Sequence, residues 1–284
     1  MLFRSVQQEV LPRVSVNVGY YRRWFGNFYT TDNRLVGPSD FDPFTLTAPV
    51  DSRLPNGGGQ TISGLYDLNL AKFGQVDDYR TRSSNFGNQL ENWHGVDVTF
   101  NARLRSGVTV QGGTSTGRRL SDNCEIQAKL PELGPVNPYC RVEEPFRTQV
   151  RGLATYSIPR IGVQVSGTWS NNPGSALAAN YNVPNATVKT SLGRDLSGGA
   201  ANVAVNLVPT STLYADRRSN LDFRVAKILR YGKTRTQIGV DLYNATNTDV
   251  VTSYNQTYAP TGAWLTPTGI QPARYIKVSA QFDF

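Results

Sequence analysis

Val96-Asp-Val-Thr-Phe-Asn-Ala-Arg-Leu104 is the stretch on which the fold turns. Val96, Val98, Phe100, Ala102 and Leu104 share one parity and Asp97, Thr99, Asn101 and Arg103 the other, and a period of two is that of a strand with one apolar face. The turn Arg105-Ser-Gly107 follows, and Val108-Thr-Val-Gln111 resumes the alternation, which predicts a hairpin. The unit recurs over 150–158 and 163–169 around the turn 159–162. It recurs again over 221–229 and 237–244 around Tyr231-Gly-Lys233. An opening strand over 14–20 and a closing one over 276–284 bring the expected number to eight.

The connections opposite these turns are long: 25 to 92, 120 to 147, 171 to 217 and 248 to 272. Loops beyond about 12 to 15 residues are uncommon in compact domains and tend to carry function. Short turns on one rim and elaborate loops on the other are the pattern of an outer-membrane barrel, with periplasmic turns and extracellular loops. The polar parity suits a watery lumen, with Asp97, Thr99, Asn101 and Arg103 on one strand and Lys277, Ser279, Gln281 and Asp283 on the last. Tyr20, Trp24 and Trp169 stand where an aromatic girdle would meet the lipid interface. Lys227 breaks the pattern, being in phase with Leu221, Phe223 and Val225, and has to snorkel near the turn or sit beyond a bulge. The expectation is an all-β chain, an antiparallel up-and-down transmembrane β-barrel portion in the bacterial outer membrane. A soluble sandwich is the competing architecture, because it also alternates.

Composition narrows the functions. The 284 residues hold no run of about 18 uncharged apolar residues, which excludes a helical bundle in the membrane. With 14 Tyr, 12 Phe and 4 Trp the chain is rich enough in aromatics to order. The net charge of +8 is spread, its longest basic runs being pairs such as Arg118-Arg119 and Arg217-Arg218, so no nucleic-acid groove is expected. Residues 1–8 lack a basic region, apolar core and cleavage site, so the chain as written is not expected to export itself.

The last eleven residues, Arg274-Tyr-Ile-Lys-Val-Ser-Ala-Gln-Phe-Asp-Phe284, place Ile276, Val278, Ala280, Phe282 and Phe284 on one face and end on an aromatic. This resembles the C-terminal signal that outer-membrane proteins present to the barrel-assembly machinery. Together with Val18-Gly-Tyr-Tyr-Arg-Arg-Trp-Phe25, Asn92-Trp-His-Gly-Val-Asp-Val98, Leu221-Asp-Phe-Arg-Val-Ala-Lys-Ile228 and Asp241-Leu-Tyr-Asn-Ala245, it makes nearly the whole sequence resemble the C-terminal barrel part of a TonB-dependent receptor. The likeness is to the Oar-like type that often carries a carboxypeptidase-regulatory-like domain.

The resemblance implies uptake of a ligand, not identified from the sequence, with TonB acting only through an N-terminal plug. Such barrels have about 22 strands, so residues 1–284, lacking plug and N-terminal strands, are expected to be the last third or so of one. Parity then puts the turns 105–107, 159–162 and 230–234 and the N-terminus in the periplasm, with Gln7 to Pro12 as the remnant of another turn. The alternative is a self-contained eight-stranded barrel acting as an adhesin or binding surface.

Other motifs point less far. Cys124 and Cys140 share one loop and are expected to form a disulfide, worth roughly 3 kcal/mol for a ring of about 15 residues. His94 is the sole histidine, so no multi-histidine metal site can form, and no local motif completes a catalytic triad around it. Asp40 with Asp42, and Asp77-Asp78, lack the spaced oxygen ligands of a calcium loop. Gly57-Gly-Gly59 and Gly198-Gly199 lack the context of a phosphate loop and read as flexible. Neither a cofactor nor an enzyme activity is expected.

Overall fold

The structure, a computed structural model, describes residues 1–104, 107–232 and 234–283. Its main element is an antiparallel up-and-down sheet. We number its strands β1 (Leu2–Leu11), β2 (Val14–Trp24), β3 (Leu90–Arg103), β4 (Val108–Asp122), β5 (Arg147–Ile158), β6 (Val163–Asn172), β7 (Arg218–Tyr231), β8 (Thr234–Tyr243) and β9 (Tyr275–Asp283). They pair in chain order, and a short tenth strand, Arg141–Glu143, adds to the end of β4.

The wall therefore has nine through-going strands where the alternation predicts eight, and nineteen strands occur in all among the described residues. The additional wall strand is β1. Gln7 to Leu11 is not a turn remnant but the second half of β1, and the reversal falls at Pro12-Arg13, where Arg13 takes a left-handed φ of 68°. The chain consequently starts at the long-loop rim, not the turn rim, because Leu2 pairs with Arg22. No closed barrel forms: β1 and β9 are the two ends of the sheet and do not pair. Arg105, Ser106, Lys233 and Phe284, named in two expected turns and in the terminal signal, lie outside the described residues.

Register keeps parity coherent across the wall. One row of directly opposed residues runs Leu11, Val14, Ala102, Val110, Ala154, Gly167, Phe223, Leu242 and Ile276, apolar in every strand. A second runs Val108, Tyr156, Val165, Val225, Val240 and Val278. On the opposite face, Gln7, Asn17, Thr99, Gly113, Arg151, Ser170 and Asn220 form a polar row, and Arg103, Thr109, Thr155, Ser166, Arg224, Asp241 and Lys277 another. Aromatic rings cover glycines that have no side chain of their own to offer: Phe100 lies against Gly112, Trp93 against Gly95 and Gly117, and Phe223 against Gly167. Such pairing fills the sheet surface at the gap a glycine leaves.

The apolar face has no second layer over it. Phe223 (42%), Val225 (49%), Ile276 (66%) and Val278 (70%) are exposed. The chain exposes 17153 Å² in all, against about 12,000 Å² expected for a compact monomer of this mass.

The buried apolar core lies elsewhere, in the long connections. Residues 25–89, 173–217 and 244–274 fold together into a cap on one rim around Phe44, Leu46, Leu65, Val183, Val205, Leu207, Tyr258 and Trp264. Its framework is the hairpin of Phe41–Thr47 with Thr61–Leu68, and a three-stranded sheet of Asn180–Pro184 between Asn202–Asn206 and Thr257–Tyr258. A helix, Asn185–Leu192, packs Val188 into the same core and ends at Gly193, whose φ of 78° suits the left-handed cap. No helix of the described residues is long and apolar enough to cross a membrane.

Truncating the fully buried Leu65 to Ala is expected to destabilise the cap by about 2–5 kcal/mol. Urea unfolding followed by the fluorescence of buried Trp264 measures this; a loss well under 1 kcal/mol would mean that the connections do not share one core.

Candidate functional site: a polar chamber under the loop cap

The polar face of β3 to β7 lines a trough of about 640 Å³, with Asp97, Asn101, Gln111, Gln149, Arg151 and Asp222 among its walls. It runs on through Ser170, Asn220 and Asp222 into a smaller recess of about 290 Å³ under residues 244–274, where Tyr243, Tyr275 and Gln271 stand. The rings of Tyr243 and Tyr275, opposed on β8 and β9, stack at 4.7 Å.

Hydrogen bonds fix the recess to the wall. Asn244, held at a left-handed φ of 49°, donates through Nδ2 to the carbonyls of Thr248 and Pro272 at 2.8 and 2.9 Å, and its backbone N–H donates to Asp222 Oδ1 at 2.8 Å. Asn220 Nδ2 donates to the other oxygen of Asp222 at 2.8 Å, and Gln271 Nε2 donates to Asn220 Oδ1 at 2.9 Å. Deeper along the wall, Arg224 Nη1 donates to both oxygens of buried Asp241 at 2.8 and 2.9 Å. Two acceptors in the chamber, Asp97 Oδ1 and Gln271 Oε1, are buried with no partner among the described residues. A buried acceptor left unpaired is costly.

Two arginines clamp the cap above it. Arg53 holds Asp51 through Nε and Nη2, and donates onward to the carbonyls of Ala259, Pro260 and Gly262 at 2.8 to 3.0 Å. Tyr258 Oη donates to Asp51 Oδ2 at 2.9 Å. Arg194 links Asp42 and Asp67 on the first hairpin to the 173–217 connection. The Asp51 carboxyl is held far below its ordinary range by the Arg53 side chain first, then by the Arg53 backbone N–H and the Tyr258 hydroxyl. Tyr258 is pushed up to about 12, by burial first and then by its hydrogen bond to the Asp51 carboxylate.

The residues singled out in the sequence fall in several places. Cys124 and Cys140 are joined in a disulfide with Cα atoms 4.9 Å apart, and this bridged loop props the cap: Tyr66 N–H donates to Pro135 O at 2.6 Å, and Tyr139 Oη to Asn206 O at 3.3 Å. Ile276, Val278, Ala280 and Phe282 share the apolar face of β9. Trp24 and Trp169 stand exposed near the loop rim with Tyr20, and Trp169 Nε1 donates to Ser219 Oγ at 3.0 Å. Lys227 reaches the turn, donating to the Ile161 carbonyl. His94 lies in β3 near the loop rim, where its Nε2 accepts from Arg118 Nε at 2.9 Å. Asp42 is paired with Arg194, Asp40 with Lys72 and Asp77 with Arg34.

The glycine runs fall in turns of the cap. Gly57, Gly58 and Gly59 all have φ between 71° and 79° in one tight turn, and Gly198 carries the ring of Phe73 where a Cβ would stand. The chamber brings Arg151, Asp222 and Gln271 together; of these only Asp222 falls in a stretch the sequence singles out, 221–228, and there as a strand signature rather than a site. Parity predicts that the wall positions face inward, but only register shows which of them meet. No protein-family model matches the sequence, and a comparison with curated proteins finds no match.

The clamp predicts a pH window for the cap. A depressed carboxyl contributes stability that is complete above its ordinary value of 3.8 and lost as pH falls through its lower folded value. A raised phenol contributes stability that is complete below its ordinary value of 10.0 and lost as pH rises through about 12. Tyr258→Phe is expected to flatten the alkaline loss, and Arg53→Ala, which leaves Asp51 nearer its ordinary value, to flatten the acid loss. Near-ultraviolet circular dichroism against pH reads both limbs, and unchanged limbs would remove the clamp from the account.

Proposed function

We propose that this chain is a wall segment, with its extracellular cap, of a TonB-dependent outer-membrane receptor, a non-enzymatic barrel taking part in uptake of a ligand. The observation that carries this reading is the nine-strand row from Leu11 to Ile276, apolar in every strand and bare of any covering layer, backed on the other face by polar rows. Outward apolar and inward polar is the arrangement of a barrel wall in lipid. A soluble sandwich would bury that face against a second sheet.

Strand direction favours a larger wall over a self-contained barrel. The nine strands alternate, so β1 and β9 both run from the loop rim to the turn rim, and direct closure would make them parallel neighbours. Antiparallel closure needs an odd number of further strands between them, consistent with the large barrels that the terminal strand and loop signatures resemble. In such a wall the barrel-assembly machinery would receive β9, and TonB would act through a plug outside this segment. The acceptor-lined chamber under the cap would form part of the ligand's polar route.

Val225→Arg in the natural gene product carrying this chain separates lipid from water. With the outer face in lipid, an arginine near mid-wall should lower folding stability by about 2–4 kcal/mol and reduce the amount recovered from outer membranes. An exposed position facing water would change by about 0.5 kcal/mol or less. A wild-type product recovered in the soluble fraction would overturn the reading outright.

A further inference from the structure

Immediately above the apolar rows, on the outer face at the loop rim, the wall turns basic. Arg22 of β2 stands directly opposite His94 of β3, which stands directly opposite Arg118 of β4. Arg4 of β1 opposes Tyr20, which puts it diagonally beside Arg22 on the same face. Neighbouring strands lie about 4.8 Å apart and diagonal cross-strand pairs about 7–8 Å, so Arg4 and Arg22 stand within reach of one phosphate-sized group, with Arg118 two strands from Arg22, about 10 Å away.

The two flanks differ in how they are held. Arg118 is fixed: its Nε donates to His94 Nε2 at 2.9 Å, its guanidinium lies over the Phe146 ring at 4.9 Å, and it pairs with Glu143. The His94 ring meets Phe146 edge-on at 5.3 Å. Arg4 and Arg22 are exposed and have no ion pair or side-chain hydrogen bond among the described residues. Glu143 is the one acidic side chain that the structure pairs with this row, so the two free arginines leave a net positive patch. Exposed Trp24 stands on the same face two residues beyond Arg22, and Tyr20 two residues below it. Tyr and Trp mark the level where hydrocarbon gives way to headgroups, and basic side chains at that level attract anionic lipid.

We propose that Arg4, Arg22 and Arg118, with His94 orienting Arg118, form a binding site for the phosphate of a membrane lipid headgroup at the loop-side rim. Arginine suits this because its planar fork matches phosphate oxygens two at a time. The inference rests on the outer face being lipid-facing, as proposed above. It adds that one stretch of the rim, from β1 to β4, selects its lipid.

The test uses the natural gene product carrying this chain, purified in neutral detergent and offered phosphatidylcholine, phosphatidylglycerol or inorganic phosphate, with bound lipid counted by native mass spectrometry. The expected result is retention of phosphatidylglycerol over phosphatidylcholine, falling about tenfold or more in Arg4→Gln/Arg22→Gln/Arg118→Gln. A control carrying Arg13→Gln, Arg160→Gln and Arg230→Gln, near the turn rim, removes the same charge and should retain the lipid. Equal loss in both variants would reduce the effect to net charge and overturn the site. Displacement of the lipid by millimolar inorganic phosphate would reassign it to a free anion. Circular dichroism confirms that each variant is folded, and Arg22→Lys, keeping charge but not the fork, should recover only part of the binding. Should the wild-type product be soluble without detergent, the membrane reading itself would fail, an outcome distinct from a membrane protein that binds both lipids alike.

Discussion

Cross-strand register is the constraint on which the rest of the molecule depends. A slip of one residue between any two strands would move every valine of the apolar face to the polar one and every carboxylate of the polar face to the apolar one. Parity nevertheless holds from Leu11 to Ile276 through eight successive pairings. Some of that fidelity comes from the tight hairpins, which fix register at the turn rim. Some comes from the aromatic rings seated on glycines: Phe100 fits over Gly112 and Phe223 over Gly167 in one alignment, and a shifted strand would put a Cβ in the same space. Opposed charges add a third lock, because Arg224 meets Asp241 only in the observed register.

With the wall's apolar face turned outward, its strands have little apolar surface left to bury against one another. The hydrophobic core is displaced into the connections, where fully buried Leu65, Val183, Val205, Leu207 and Val208 belong. These connections are therefore a folded cap and not loose loops, and the smaller recess is walled on one side by Asn244, Thr252, Gln271 and Pro272 of that cap. The cap is held by three kinds of bond: apolar packing, the Arg53 and Arg194 clamps, and the Cys124–Cys140 bridge that ties the intervening loop.

The wall was legible in the sequence because alternation is a local signal; residues 96–104 alone state which side chains share a face. β1 was not, since Leu2 to Leu11 reads Leu-Phe-Arg-Ser-Val-Gln-Gln-Glu-Val-Leu, where Arg4 and Gln8 interrupt one parity and Phe3 and Leu11 the other. The cap was opaque for a different reason. Its strands are two to eight residues long, and its partners lie far apart in the chain, as with Asp51 and Tyr258 or Asp67 and Arg194, so no window of sequence contains both halves of an interaction. The disulfide was legible, with only two cysteines in one connection, whereas its role as a prop between other loops was not.

The two edges bear most directly on what surrounds the wall. β1 and β9 are ten and nine residues long and contain no proline; Ile276, Val278, Ala280 and Phe282 make one face of β9 apolar, and Leu2, Val6 and Leu11 give the matching face of β1 apolar positions beside Arg4 and Gln8. Soluble sheets blunt such edges with lysine, proline, bulges or a covering segment, because a row of unpaired N–H and C=O groups recruits other strands. Here a single register shift near Glu9 and Leu11 and the charges of Arg4, Glu9, Lys277 and Asp283 are the only such devices on the described edges. In lipid the unpaired groups would cost several kcal/mol each, so a wall with these edges is stable in a bilayer only with strands on both sides. The same edges that make an isolated arc prone to aggregation are what continuous pairing in a larger barrel requires.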